Sequence, residues 1–225
     1  MAVGSDLKVE AVVFDLDGLM LNTEDVFHLS GCEMLARRGL EMTEEIHRSM
    51  LGRRPNEAFQ AMKDLTGIAD SIDDLKTETR TLFSEIAATS LELMPGLTDL
   101  LKLIESLKLP RAVATSSPRD YVLDLLGRFD LLKHFPLMLT AEDVRLGKPD
   151  PEIYLTAAEQ LGVAPERMLV LEDSETGTRA AAAAGAITVS VPNRHTADGD
   201  FSMATRRVSS LADPELLRLF DEATA

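Results

Sequence analysis

The chain has 225 residues, 45% hydrophobic and 27% charged, which suits one large domain, or a domain carrying an insertion, with a well-filled core. Its 23 lysines and arginines face 38 aspartates and glutamates, a formal charge of −15, so nucleic acid and anionic membranes are poor partners. No apolar run approaches the roughly 18 residues of a membrane helix, no basic stretch leads into a long apolar one at the N-terminus, and Cys32, the single cysteine, offers neither an intramolecular disulfide nor a metal cluster; the expectation is a cytoplasmic monomer.

In chain order, the first predicted element is a buried strand, VEAVVF (9–14), which runs straight into Asp15 and Asp17 and is broken at Gly18. A second apolar segment of this kind comes only at RAVAT (111–115). One crossover helix cannot fill that gap, and residues 24–91 read as helices. The expectation is therefore a helical insertion over 20–91, with 1–19 and 92–225 forming the main domain. Thr23 is a candidate N-cap for the first inserted helix, and Pro95-Gly96 punctuates the return. A helix over 96–107 precedes the second strand, which ends in Thr115, Ser116 and Ser117. Then come a helix (119–129), a strand FPLMLT (135–140), the segment GKPDP with Lys148, and a helix (150–162). The strand RMLVLE (167–172) ends in Glu172-Asp173; a helix with an alanine run (174–185), stopped by Gly185, and a strand AITVSV (186–191) follow. The strands are apolar without alternation, as parallel strands covered on both faces are. Strand–helix alternation implies right-handed crossovers and an α/β, Rossmann-like doubly wound sheet.

In such a sheet, ligands bind at the carboxyl ends of the strands, where strand order reverses. Those ends here carry Asp15, Asp17, Glu172 and Asp173, hydroxyls at Thr115 to Ser117, and Lys148 beyond the third strand. Carboxylates from two strand ends form an oxygen-rich site for a hard cation, and Mg²⁺ suits it. A carboxylate beside that cation can attack phosphorus. An acid two residues on can pass a proton to the leaving oxygen and later take one from water. A hydroxyl, backbone N–H groups and a lysine can hold the transferring oxygens. Gly18 leaves the turn free of a side chain that would crowd the phosphate.

These residues bring a family into view. FDLDG (14–18), TSS (115–117), GKPDP (147–151) and LEDSETGTRAAAAAG (171–185) resemble, in order, the four motifs of the haloacid dehalogenase superfamily of phosphatases and phosphomutases. The insertion is similar to that family's small helical cap. The resemblance implies Asp15 as nucleophile and Asp17 as general acid/base. It implies phosphate binding by Thr115, the Ser116 backbone and Lys148. Mg²⁺ would be held by Asp15, the Asp17 carbonyl and Asp173, with support from Glu172. Asp17 narrows the chemistry to phosphate esters, because dehalogenases and phosphonate hydrolases of this type lack an acid there.

The start of the insertion resembles both beta-phosphoglucomutases and pseudouridine-5′-phosphatase-like enzymes. Where the mutases carry a gating histidine this sequence has Phe27, with His28 one place later, and Pro55 replaces the mutase arginine of the cap loop. Asn22 stands where the family usually has aspartate. The resemblance thus favours an Mg²⁺-dependent phosphatase of a small phosphomonoester, a sugar phosphate or a nucleoside monophosphate. A hexose-phosphate mutase is the alternative, and a phospho-acceptor domain without turnover the remoter one. Thr23, Glu24, Arg53 and Arg54 are the substrate-specificity candidates. The four histidines show no ligand-like pairing in sequence.

Overall fold

The computed structural model describes residues 8–50 and 55–221. The chain forms two compact units, one running to Leu21 and resuming at Leu93, the other spanning Asn22–Glu92. The first is built from β1 (Ala11–Phe14), α5 (Leu97–Ser106), β2 (Arg111–Ala114), α6 (Arg119–Arg128), β3 (Leu137–Leu139), α7 (Glu152–Leu161), β4 (Met168–Glu172), α8 (Glu175–Ala183), β5 (Ile187–Ser190), β6 (Arg206–Arg207) and α9 (Pro214–Asp221). All strand pairs are parallel, in the order β3-β2-β1-β4-β5-β6. Strand order reverses between β1 and β4, so their C-terminal ends open the crevice where an α/β sheet takes its ligands.

Burial explains the unalternating strands. Every residue of β1 is fully buried. Ala11 and Val13 join a core cluster with Ala112, Ala114, Met168 and Val170 and with Tyr154, Ala157, Ala180 and Ala181 from α7 and α8. Phe14, on the opposite face, meets Phe135 edge-to-face at 5.6 Å. The alanine run is therefore core: small side chains let α8 lie close on the sheet, and Gly185, at φ +82°, ends it left-handed. The short strand β6 was not legible in the sequence. It is two exposed arginines, held by backbone bonds such as Thr205 N–H to the Thr188 carbonyl at 2.8 Å.

The unit between them contains α1 (Thr23–Ala36), α2 (Glu44–Met50), α3 (Pro55–Thr66) and α4 (Ile72–Ser90). Its core is Met34, Leu35, Ile46, Phe59, Met62, Leu75 and Leu82. Ser71 caps α4, its hydroxyl accepting the Asp74 N–H at 3.1 Å. Thr23 does not cap α1 as expected. It is the first helical residue and fully buried, and Asn22 takes the cap position without a side-chain capping bond. The Asn22 amide is engaged at the other end of the unit: its Oδ1 accepts from Glu92 N–H at 2.7 Å, and its Nδ2 donates to the Ser90 carbonyl at 3.1 Å. An aspartate could make the first bond but not the second. In the first unit, Leu21 and Leu93 form an antiparallel bridge and Met94 N–H donates to the Met20 carbonyl, so exit and return run side by side. No helix among the described residues is long and apolar enough to cross a membrane.

Candidate active site

β1 and β4 deliver three carboxylates to one place. Asp15 follows the last residue of β1, and its N–H donates to the Leu171 carbonyl, which extends the ladder by one residue. Glu172 ends β4 and Asp173 follows it. All three are buried, and each offers an oxygen within 4.8 Å of the others, a spacing that could hold a metal ion. Lys148 enters the cluster with its side chain 5% exposed. Its ammonium donates to Asp15 Oδ1 at 2.6 Å, Glu172 Oε1 at 2.5 Å and the Ala114 carbonyl at 3.0 Å, which uses all three of its protons. The Tyr154 phenol also donates to Glu172 Oε1, and the Ser174 hydroxyl donates to Oε2 at 3.1 Å. Glu172 needs the space above α8: a Cβ at Gly177 would stand 1.9 to 2.1 Å from its carboxylate atoms.

One lysine does not balance three buried carboxylates. Burial pushes the Asp15 carboxyl up to about 8; Lys148 opposes this, while Glu172 and Asp17 add to it. Burial works against the Lys148 ammonium too, but Asp15 and Glu172 outweigh it and hold the lysine well above its ordinary value. The donor set is all oxygen, compact and short of positive charge, which fits a hard divalent cation.

Asp17 lies apart from that trio. Its carboxylate accepts from Ser117 Oγ at 2.7 Å and Thr115 Oγ1 at 3.4 Å on one oxygen, and from the Tyr121 phenol at 2.9 Å on the other. Thr115 is buried directly after β2, and its hydroxyl also accepts the Ser117 N–H at 3.1 Å. Ser116, between them, is exposed. Gly18 turns the chain at φ +72°, and the space it leaves is filled by protein: a Cβ there would lie 2.4 Å from Asp173 Oδ2 and 2.6 Å from Asn193 Nδ2. The expectation that this glycine clears room for phosphate thus gives way to a tighter reason. Asn193 Nδ2 donates to Asp173 Oδ2 at 2.8 Å and to the Gly18 carbonyl at 3.2 Å, tying the turn after β1 to the end of β4.

Of the specificity candidates, Thr23 is buried and Glu24 half-buried on α1, and Arg53 and Arg54 lie outside the described residues. Phe27 is 40% exposed and stacks on Phe83 with ring centroids 4.4 Å apart. Two histidines do meet: His28 and His47 pack edge-to-face at 4.6 Å, with Cys32 Sγ 3.6 Å from His28 Nε2. Tyr121, Tyr154, Gly177 and Asn193 were missed in the sequence. Gly177 and Tyr154 stand at fixed offsets from the Glu172 and Lys148 motifs, five residues after one and six after the other; Tyr121 and Asn193 carry no comparable signal.

The family model for haloacid dehalogenase-like hydrolases matches residues 12–191. A phosphorylated carbohydrates phosphatase from Thermotoga maritima is 33% identical over 95% of this chain and 99% of its own length. A validoxylamine A 7′-phosphate phosphatase from Streptomyces hygroscopicus subsp. limoneus is 32% identical over 84% of this chain and 88% of its own. Among solved structures, a hydrolase of this family from Deinococcus radiodurans R1 with bound phosphate and sodium matches at a TM-score of 0.82, with 29% identity over 97% and 98% of the two chains. With a family match across both halves of the α/β unit and relatives of this kind along its length, the chain belongs to the haloacid dehalogenase-like hydrolases and is a phosphatase.

Proposed function

We propose that this phosphatase hydrolyses a small phosphorylated carbohydrate or polyol by way of an aspartyl-phosphate on Asp15, with Mg²⁺ as cofactor. The observation that carries the reading is the pair of carboxylates flanking Leu16. Asp15 is buried among Lys148 and two further acids, while Asp17 is held by hydroxyls alone. Asp15 attacks phosphorus and the bond to the ester oxygen breaks, that oxygen taking its proton from Asp17. Water then attacks the same phosphorus, gives its proton to Asp17, and releases phosphate with Asp15 restored. Thr115, the Ser116 backbone and Lys148 bind the transferring oxygens, Lys148 giving up one of its three hydrogen bonds to do so. Asp15, the Asp17 carbonyl and Asp173 would hold the cation, with Glu172 behind them, and the cation would offset charge on the phosphoryl group.

The substrate class rests on the relatives, which are named for phosphorylated carbohydrates and for validoxylamine A 7′-phosphate. We assign the helical unit as the specificity cap, with Glu24, Arg53 and Arg54 as its substrate-facing candidates, while Thr23, fully buried, drops out of that set. Phe27, which stands in sequence where the resembling mutases carry a gating histidine, supports hydrolysis over the hexose-phosphate mutase reading, because a phenyl ring has no proton to donate. A phospho-acceptor without turnover is set aside by the phosphatase assignment.

The test is phosphate release from a panel of sugar, polyol and nucleoside phosphates, in Mg²⁺ and in EDTA. Activity is expected on sugar or polyol phosphates, lost in EDTA, and reduced about 10⁴-fold or more in Asp15→Asn. Robust Asp15→Asn activity would sink the nucleophile assignment. Conversion of beta-glucose 1-phosphate to glucose 6-phosphate faster than phosphate release would reinstate the mutase.

A further inference from the structure

We propose that Tyr121, together with Ser117, is a positioning residue for Asp17, fixing the plane of its carboxylate for both proton transfers; this rests on the reading of Asp17 as the proton shuttle. The Tyr121 phenol donates to Oδ1 at 2.9 Å and the Ser117 hydroxyl to Oδ2 at 2.7 Å. With a donor on each oxygen, the carboxylate cannot turn about its Cβ–Cγ bond without breaking a hydrogen bond. General acid/base catalysis needs that kind of orientation at the reacting oxygen.

The two hydroxyls are themselves anchored to the end of β3. The Ser117 carbonyl accepts the Ala141 N–H at 3.1 Å. At the start of α6, Arg119 donates its backbone N–H to Glu142 Oε2 at 3.2 Å and its Nη2 to Asp143 Oδ2 at 2.5 Å. Asp143 in turn closes a capping box with Thr140. The turn after β3 thus sets the first turn of α6, and that turn sets the phenol against Asp17.

The chemistry of the partners fits a residue that changes protonation during each cycle. A lysine or a backbone N–H can only donate, so it suits the carboxylate alone. A hydroxyl donates to the carboxylate and accepts from the carboxylic acid, so Tyr121 and Ser117 can hold Asp17 on both sides of the proton transfer.

The experiment compares Tyr121→Phe, Ser117→Ala and the double variant with wild type and Asp17→Asn on 4-nitrophenyl phosphate and benzyl phosphate. The nitrophenolate leaves without a proton, whereas the benzyl alkoxide needs one, and kcat/KM reports the step in which it departs. Tyr121→Phe is expected to lower kcat/KM for benzyl phosphate about tenfold, and to leave kcat/KM for 4-nitrophenyl phosphate nearly untouched. Ser117→Ala should behave alike, and both should melt as wild type. Equal losses of kcat/KM on both substrates, or no loss in any of the three variants, overturn the proposal. Equal losses of kcat/KM in Asp17→Asn instead overturn the role of Asp17 itself, so the two failures are distinguishable.

Discussion

The two units handle charge in opposite ways. In the α/β unit three carboxylates and a lysine are packed out of water around one point. In the helical unit, no residue described as buried is charged; the buried polar residues are Thr23 and Ser30. Its ion pairs lie at the surface, as where Arg38 spans Asp70 at 2.9 Å and Glu78 at 2.7 Å. Surface pairs contribute little because water and salt screen them. Buried charges are costly to assemble and worse to leave unpaired, and they concentrate where chemistry is done. The difference separates a region whose polar geometry is fixed by its core from one whose polar residues are free to vary.

The comparison can be broken most sharply at its centre. Lys148→Met leaves Asp15 and Glu172 buried without their shared counter-charge. It should cost about 3–5 kcal/mol in denaturant unfolding; a loss below about 1 kcal/mol would mean that the cluster is not buried as described. Next comes Gly177→Ala, whose new Cβ would collide with the Glu172 carboxylate. Displacing Glu172 should cost about 2 kcal/mol and weaken Mg²⁺ binding by about 10- to 100-fold in calorimetry. Unchanged Mg²⁺ affinity would remove Glu172 from the cation's support.

A pH series addresses the same cluster more gently. Asp15, ordinarily near 3.8, is raised to about 8 in the folded protein. A raised carboxyl favours the protonated folded state, so its contribution to stability is complete below about pH 4 and is lost as pH climbs through about 8. In EDTA, Tm should therefore fall across that window. Mg²⁺ should raise Tm more at pH 8 than at pH 5, and an equal gain at both would contradict the charge imbalance. The smallest effect is expected in the helical unit: Arg38→Ala should shift the unfolding midpoint by a small fraction of the Lys148→Met shift. A comparable shift would erase the contrast.

The same contrast decides what could be read in advance. Asp15 and Glu172 were legible because buried parallel strands are written as apolar runs, and the residue that ends such a run is marked by its charge; Lys148 was legible through the GKPDP segment. The alanine run of α8 declared itself as core for the same reason, since only a helix lying close on a sheet needs side chains so small. Tyr121 was illegible because its role depends on where the turn after β3 aims the first turn of α6, a relation between segments and not a pattern within one. Asn193 sits in a polar loop after β5, where local sequence says nothing of Asp173, which is 20 residues earlier. Thr23 misled because a threonine before a helical pattern is an ordinary cap, while here the chain enters α1 one residue sooner and Asn22 is engaged elsewhere. The strand β6 lacked any apolar run, being held by backbone alone.

The Asn22 clasp and the Leu21–Leu93 bridge have one more consequence. Departure and return are thus stitched together. Residues can be added to or trimmed from the helical unit's interior without shifting the register of any strand, and lengthening a loop costs only a slowly growing entropy. Its length and contents can drift while Asp15 stays aimed at the same point.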